Sequence, residues 1–123
     1  MRRLRALIAP AAVLLILAGC GVHGAETPAQ RLYALQADFN LMQRAVLAYT
    51  ERPDCTPPGI VVACARPPVR DRLRQAAAEA LTALRTARTS LGRGDGAAGA
   101  ALPLAAAALR RLAAEMAAGE VRS

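Results

Sequence analysis

Few residues in this chain of 123 have side chains suited to covalent catalysis. The only histidine is His23, and the only serines are Ser90 and Ser123. Nucleophilic catalysis needs a serine or cysteine beside a base that a third group orients, and His23 lies in a short polar segment with nothing to position it. No pair of carboxylates lies where the sequence indicates a cleft. We therefore predict that the protein is not an enzyme and that it needs no metal and no diffusible cofactor.

The first 20 residues have the layout of an export signal. Arg2, Arg3 and Arg5 precede an apolar run over residues 6–17, and small residues follow. As a helix this run spans only ~18 Å, against a hydrocarbon thickness of ~30 Å. The segment ends in a four-residue box that resembles the lipobox of bacterial lipoproteins at all four positions: Leu17-Ala18-Gly19-Cys20.

The resemblance implies that residues 1–19 are a signal peptide and that a diacylglycerol is attached to the Cys20 thiol. In the family that the box resembles, Asp directly after the lipidated cysteine is the signal for retention in the inner membrane. This chain has Gly21 at that position, which favours the outer membrane, with the protein facing the periplasm. Residues 20–26 are then the lipidated cysteine and a flexible tether, and residues 27–119 are the helical domain. The alternative is an uncut signal anchor in which Cys20 is an ordinary thiol.

With Cys20 assigned to the lipid, Cys55 and Cys64 remain as a pair in an oxidising compartment. Their eight-residue spacing fits neither a redox Cys-x-x-Cys centre nor a zinc site. We therefore expect a structural disulfide, which in the chain-entropy model contributes about 2.7 kcal/mol for a loop of this length.

The fold expected is a small all-α three-helix bundle, with helices over about residues 27–52, 68–91 and 99–118 and a Pro-rich, disulfide-linked loop between the first two. Thr27-Pro28-Ala29-Gln30 is a capping box, Gly92 is the expected end of the second helix, and Pro103 is tolerable only in a first helical turn. A propeller or a doubly wound nucleotide-binding domain needs a longer chain.

Apolar residues at helical spacing predict which faces are buried. The first helix has a heptad-like stripe, which packs within the chain or, alternatively, against another chain: Leu32, Leu35, Phe39, Met42, Val46 and Tyr49. The second helix has a similar face: Val69, Leu73, Ala77, Leu81, Leu84, Ala87 and Leu91. The third has a shorter one: Leu109, Leu112 and Met116.

Arginines are concentrated near the expected start of the second helix, with Arg52 across the loop. Guanidinium groups together with free helix N-terminal amides can hold phosphate or carboxylate. The alternative is a solvated face, since Asp54 and Asp71 lie close enough in sequence to neutralise the charge. The candidate anion-contacting residues are Arg66, Arg70, Arg72 and Arg74.

From Cys20 onward the chain has thirteen Arg and nine Asp or Glu, a formal charge of +4. It has no nucleic-acid-binding motif, and an exported protein rarely meets nucleic acid, so we expect none as a partner. We expect a non-enzymatic binding or adaptor module, held at the membrane by its lipid, that contacts an envelope protein or an anionic envelope polymer. The alternative is a structural surface lipoprotein that self-associates through the stripe of the first helix.

The lipid assignment predicts the outcome of replacing one atom. In the Cys20→Ser variant, incorporation of radiolabelled palmitate by the producing bacterium should be lost and the precursor should stay uncut, because the hydroxyl cannot replace the acylated thiol. The Cys55→Ser/Cys64→Ser double variant is the control and should keep the label. Label that persists in Cys20→Ser would show that the lipid is not attached there.

Overall fold

The computed structural model describes residues 27–55, 64–94 and 96–119. It contains three helices, α1 (Pro28–Thr50), α2 (Pro67–Arg93) and α3 (Ala98–Ala118). The three-helix, all-α prediction is confirmed, with the disulfide Cys55–Cys64 in the connection between α1 and α2. The predictions of a signal peptide, of a lipidated Cys20 and of a tether concern residues outside these ranges.

α1 begins as its first residues predict. The Thr27 hydroxyl accepts a hydrogen bond from the Gln30 N–H at 3.2 Å, and the Gln30 side chain accepts one from the Thr27 N–H at 2.8 Å. This reciprocal capping box, with Pro28 in the first helical position, leaves fewer unsatisfied donors at the helix start.

The ends of α2 and α3 differ in detail from the prediction. α2 passes through Gly92 and ends at Arg93. The next residue, Gly94, caps it with the left-handed φ of +64° that favours glycine and donates its N–H to the Leu91 carbonyl. α3 begins early enough that Pro103 is its sixth residue rather than part of the first turn. Pro103 therefore leaves the Gly99 carbonyl without its usual helical donor.

The predicted stripe of α1 packs inside the bundle. Four of its residues are buried, and the other two, Leu35 and Met42, are partly buried against the same core. The buried four are Leu32, Phe39, Val46 and Tyr49.

The buried face of α2 is displaced by one residue from the prediction in its middle. Ala76 and Ala80 are buried there, whereas the predicted Ala77 and Leu81 are only partly buried. They lie with the small residues Ala101 and Ala105 of α3 in one core. Small side chains on both helices permit α2 and α3 to approach closely. The buried residues of these two helices are alanines and leucines in equal number, with Val69.

Ion pairs between α2 and α3 show that the two helices are antiparallel. Glu79 pairs with Arg111 at 2.8 Å, and Arg72 pairs with Glu115 at 3.7 Å. The carboxyl end of α3 therefore lies beside the amino end of α2. The carboxyl end of α1 lies there too, since Tyr49 contacts Arg66, and we name this end of the bundle, with the Cys55–Cys64 disulfide, the disulfide end. No helix in the described ranges is both long enough and apolar enough to cross a bilayer.

The burial of its leucines predicts that Leu→Ala substitutions on α3 lower the free energy of unfolding by unequal amounts. Leu112→Ala should lower the free energy of unfolding by about 2–5 kcal/mol, because Leu112 is fully buried and its removal leaves a cavity. Leu104→Ala is the matched control on α3, and it should cost less than about 0.5 kcal/mol because Leu104 is 65% exposed. Equal losses in urea denaturation would contradict this assignment of the core.

Candidate functional site

At the disulfide end, covalent and backbone contacts join the end of α1 to the start of α2. The Cα atoms of Cys55 and Cys64 are 5.0 Å apart, and Cys55 donates its N–H to the Ala65 carbonyl at 3.3 Å. Ala65 in turn donates to the Pro53 carbonyl at 2.8 Å, and its side chain is fully buried. The disulfide thus lies beside a short backbone pairing that fixes the start of α2 against the end of α1.

Arg70 has a structural role at this end. Its guanidinium pairs with the Asp54 carboxylate at 2.7 Å and donates to the Arg52 carbonyl at 2.8 Å. The side chain is only 17% exposed, and its Nε–H has no acceptor among the described residues. Arg70 therefore links α2 to the segment after α1 and is committed to contacts within the protein.

The prediction that the amino end of α2 offers free backbone amides to an anion is not met by its first residues. Its first two residues, Pro67 and Pro68, have no N–H, and the N–H groups of Val69 and Arg70 both bond to the Arg66 carbonyl at 3.0 Å. The Arg66 N–H donates to the Tyr49 hydroxyl at 3.1 Å. A ligand here would therefore have to be held by side chains.

The other two predicted arginines lie apart from this centre. Arg72 faces α3, where it pairs with Glu115 while remaining 59% exposed. Arg74 is exposed on α2. The four candidate residues therefore do not form one cluster. Arg70 is bound within the protein and Arg72 forms an ion pair between two helices, whereas Arg66 and Arg74 are exposed.

Arg66 does meet Arg52 at an open cavity of about 500 Å³ at the disulfide end. The Arg52 guanidinium lies over the Tyr49 ring, 5.4 Å from its centre, in the geometry of a cation–π contact. Seven residues from the three helix ends and the disulfide line the cavity: Tyr49, Arg52, Cys55, Cys64, Arg66, Ala118 and Gly119.

No local sequence pattern links α3 to this cavity, because Ala118 and Gly119 reach it only through the bundle topology. Tyr49 was predicted as a core residue, and its ring is buried as expected. Its hydroxyl and ring face have a second role in positioning Arg66 and Arg52. The available signal was a tyrosine, rather than phenylalanine or leucine, in the last turn before a Pro-rich segment.

Among the described residues, no group of three or more His, Cys, Asp or Glu side chains is close enough to hold a metal ion. Comparisons with protein-family models, curated proteins and solved structures give no match to this chain.

The contacts of Arg70 and Arg72 predict that the same Arg→Gln substitution lowers the free energy of unfolding by different amounts at the two positions. Arg70→Gln should lower the free energy of unfolding by about 1–2 kcal/mol, because it removes a half-buried ion pair and a hydrogen bond to a carbonyl. Arg72→Gln should cost less than about 0.5 kcal/mol, because its pair is long and exposed. Chemical denaturation measures both, and an equal or larger loss for Arg72→Gln would contradict the structural role of Arg70.

Proposed function

We propose that this chain is a lipid-anchored, non-enzymatic adaptor of the bacterial cell envelope that holds an anionic group of a partner at its disulfide end. The lipid on Cys20 is its membrane contact, and Gly21 favours the outer membrane on the periplasmic side. The lipobox and the layout of residues 1–20 support the location.

The observation that carries the binding role is the placement of Arg52 and Arg66. Both residues line one open cavity, and no Asp or Glu is among its described lining residues. Asp54, two residues after Arg52, is engaged by Arg70. Two guanidinium groups beside a rigid disulfide suit a carboxylate or phosphate, which each group can bind through two parallel hydrogen bonds.

The position of the cavity suits a partner beyond the lipid surface. Six residues separate Cys20 from Thr27, a distance of at most ~25 Å when extended. The 23 residues of α1 then extend for ~34 Å, and the cavity lies at the far end of that helix. An envelope protein or an anionic wall polymer fits this placement better than the head groups beside the anchor.

The second candidate is a structural lipoprotein that self-associates. The predicted stripe of α1 lies in the core, so association through it would require the bundle to open. A different face of α1 favours this candidate, because Tyr33, Leu41 and Leu47 are 50–76% exposed. Exposed apolar patches of this kind are typical of contacts between proteins.

Cross-linking in intact cells tests the proposal. The tagged full-length chain should capture one dominant envelope partner, and Arg52→Gln/Arg66→Gln should lose it because both cavity guanidiniums are gone. Arg44→Gln/Arg93→Gln removes the same charge from exposed positions elsewhere and should retain capture. Circular dichroism of each variant checks that the bundle still folds.

Capture that is unchanged in Arg52→Gln/Arg66→Gln would contradict the role of the cavity. Capture of the chain only by itself would favour the structural candidate, and in that case Leu41→Glu should abolish the cross-linked oligomer.

A further inference from the structure

A second basic surface lies on the side of the bundle, in the groove between α1 and α2. From α1 come the carboxamides of Gln36, Asn40 and Gln43, which recur at the spacing of one helical face. From α2 come Arg85 and Arg88, three residues apart and both exposed. The groove has a volume of about 320 Å³.

The floor between these polar rows is apolar. Phe39 and Leu84 reach it from the core and are almost fully buried, and the partly exposed Leu81 lies beside them. An apolar floor between a row of amides and a pair of guanidiniums favours a ligand with both a hydrophobic side chain and polar acceptors.

The five polar side chains of this groove are not used to hold the bundle together. Within the described ranges, none of them forms a side-chain hydrogen bond or an ion pair with another residue. Gln36 and Gln43 are nevertheless half-buried. Half-buried amides without a partner in the protein are available to a ligand at little cost in lost internal contacts.

The distribution of acidic residues leaves this groove positive. No Asp or Glu is among its lining residues in the described part of the chain. The carboxylates that form ion pairs do so elsewhere in the molecule, where Asp54, Glu79 and Glu115 contact Arg70, Arg111 and Arg72, respectively.

We propose that this groove binds an acidic peptide segment of another protein. A carboxamide both donates and accepts, so the row on α1 matches the alternating N–H and C=O groups of a peptide backbone. Arg85 and Arg88 match its carboxylates, and the floor takes an apolar side chain. A phosphate head group offers acceptors alone and leaves the acceptor oxygens of the amides and the apolar floor without a counterpart.

This site is separate from the cavity at the disulfide end and stands without it. The groove is formed by the middle of α1 and the second half of α2, whereas Arg52 and Arg66 lie beyond the end of α1 and before the start of α2. A chain with both surfaces can hold two partners at once, as an adaptor requires.

Fluorescence anisotropy with a defined peptide tests the groove. The full-length chain in detergent should bind a labelled peptide of alternating glutamate and leucine, and should bind the matching glutamine–leucine peptide about tenfold more weakly or worse. Arg85→Gln/Arg88→Gln should weaken binding of the glutamate peptide by at least about tenfold. Both Arg44→Gln/Arg93→Gln, with the same change in charge, and Arg52→Gln/Arg66→Gln should retain it.

A second measurement uses the unmodified sequence. In NMR spectra of the isotopically labelled chain, the glutamate peptide should shift the side-chain amide signals of Gln36, Asn40 and Gln43 and leave that of Gln75 in place. Equal binding of the two peptides, equal binding by Arg85→Gln/Arg88→Gln, or shifts elsewhere only would overturn the proposal. Binding of an anionic polysaccharide or of anionic vesicles by this groove, with no binding of the peptide, would overturn it as well.

Discussion

The thin core that α2 and α3 share, in which alanines and leucines are buried in equal number, determines which other contacts this bundle needs. Ala76 and Ala80 on one helix and Ala101 and Ala105 on the other are buried, with Leu73 and Leu112 as the largest fully buried side chains. Such a core removes little apolar area per residue from water. A small domain with so thin a core needs additional ties, and the disulfide and the Arg70–Asp54 pair supply them at one end.

The ion pairs among the described residues lie at the same contacts. Asp54 is engaged at the disulfide end, and Glu79 and Glu115 are engaged across the α2–α3 contact. In a chain with more arginines than acids, the grooves along α1 and the cavity beyond it are therefore left with guanidinium groups and no carboxylate in their described linings. Asp54, Glu79 and Glu115, whose ion pairs help to hold the bundle together, line neither surface.

Local signals in the sequence were sufficient for the helices and for much of the core. The Thr27 capping box, the Pro-rich break and the stripe from Leu32 to Tyr49 each act within one or two turns. Local signals were insufficient where the packing of two helices determines which residue is buried. The choice of Ala76 over Ala77 depends on the neighbouring helix, because alanine at either position satisfies the same helical period. The arginines near the start of α2 are adjacent in sequence but face different neighbours, so only the packing separates Arg70 from Arg66.

Site-specific photo-cross-linking in intact cells tests whether the disulfide end is the surface that contacts a partner. A benzophenone side chain would be placed at exposed positions on three surfaces: Ala118 at the disulfide end, Ala37 on the outer face of α1 and Gly92 at the opposite end of the bundle. We expect an adduct with another envelope component from Ala118 and none from Gly92. An adduct from Ala37 alone, with the mass of two copies of this chain, would contradict this expectation.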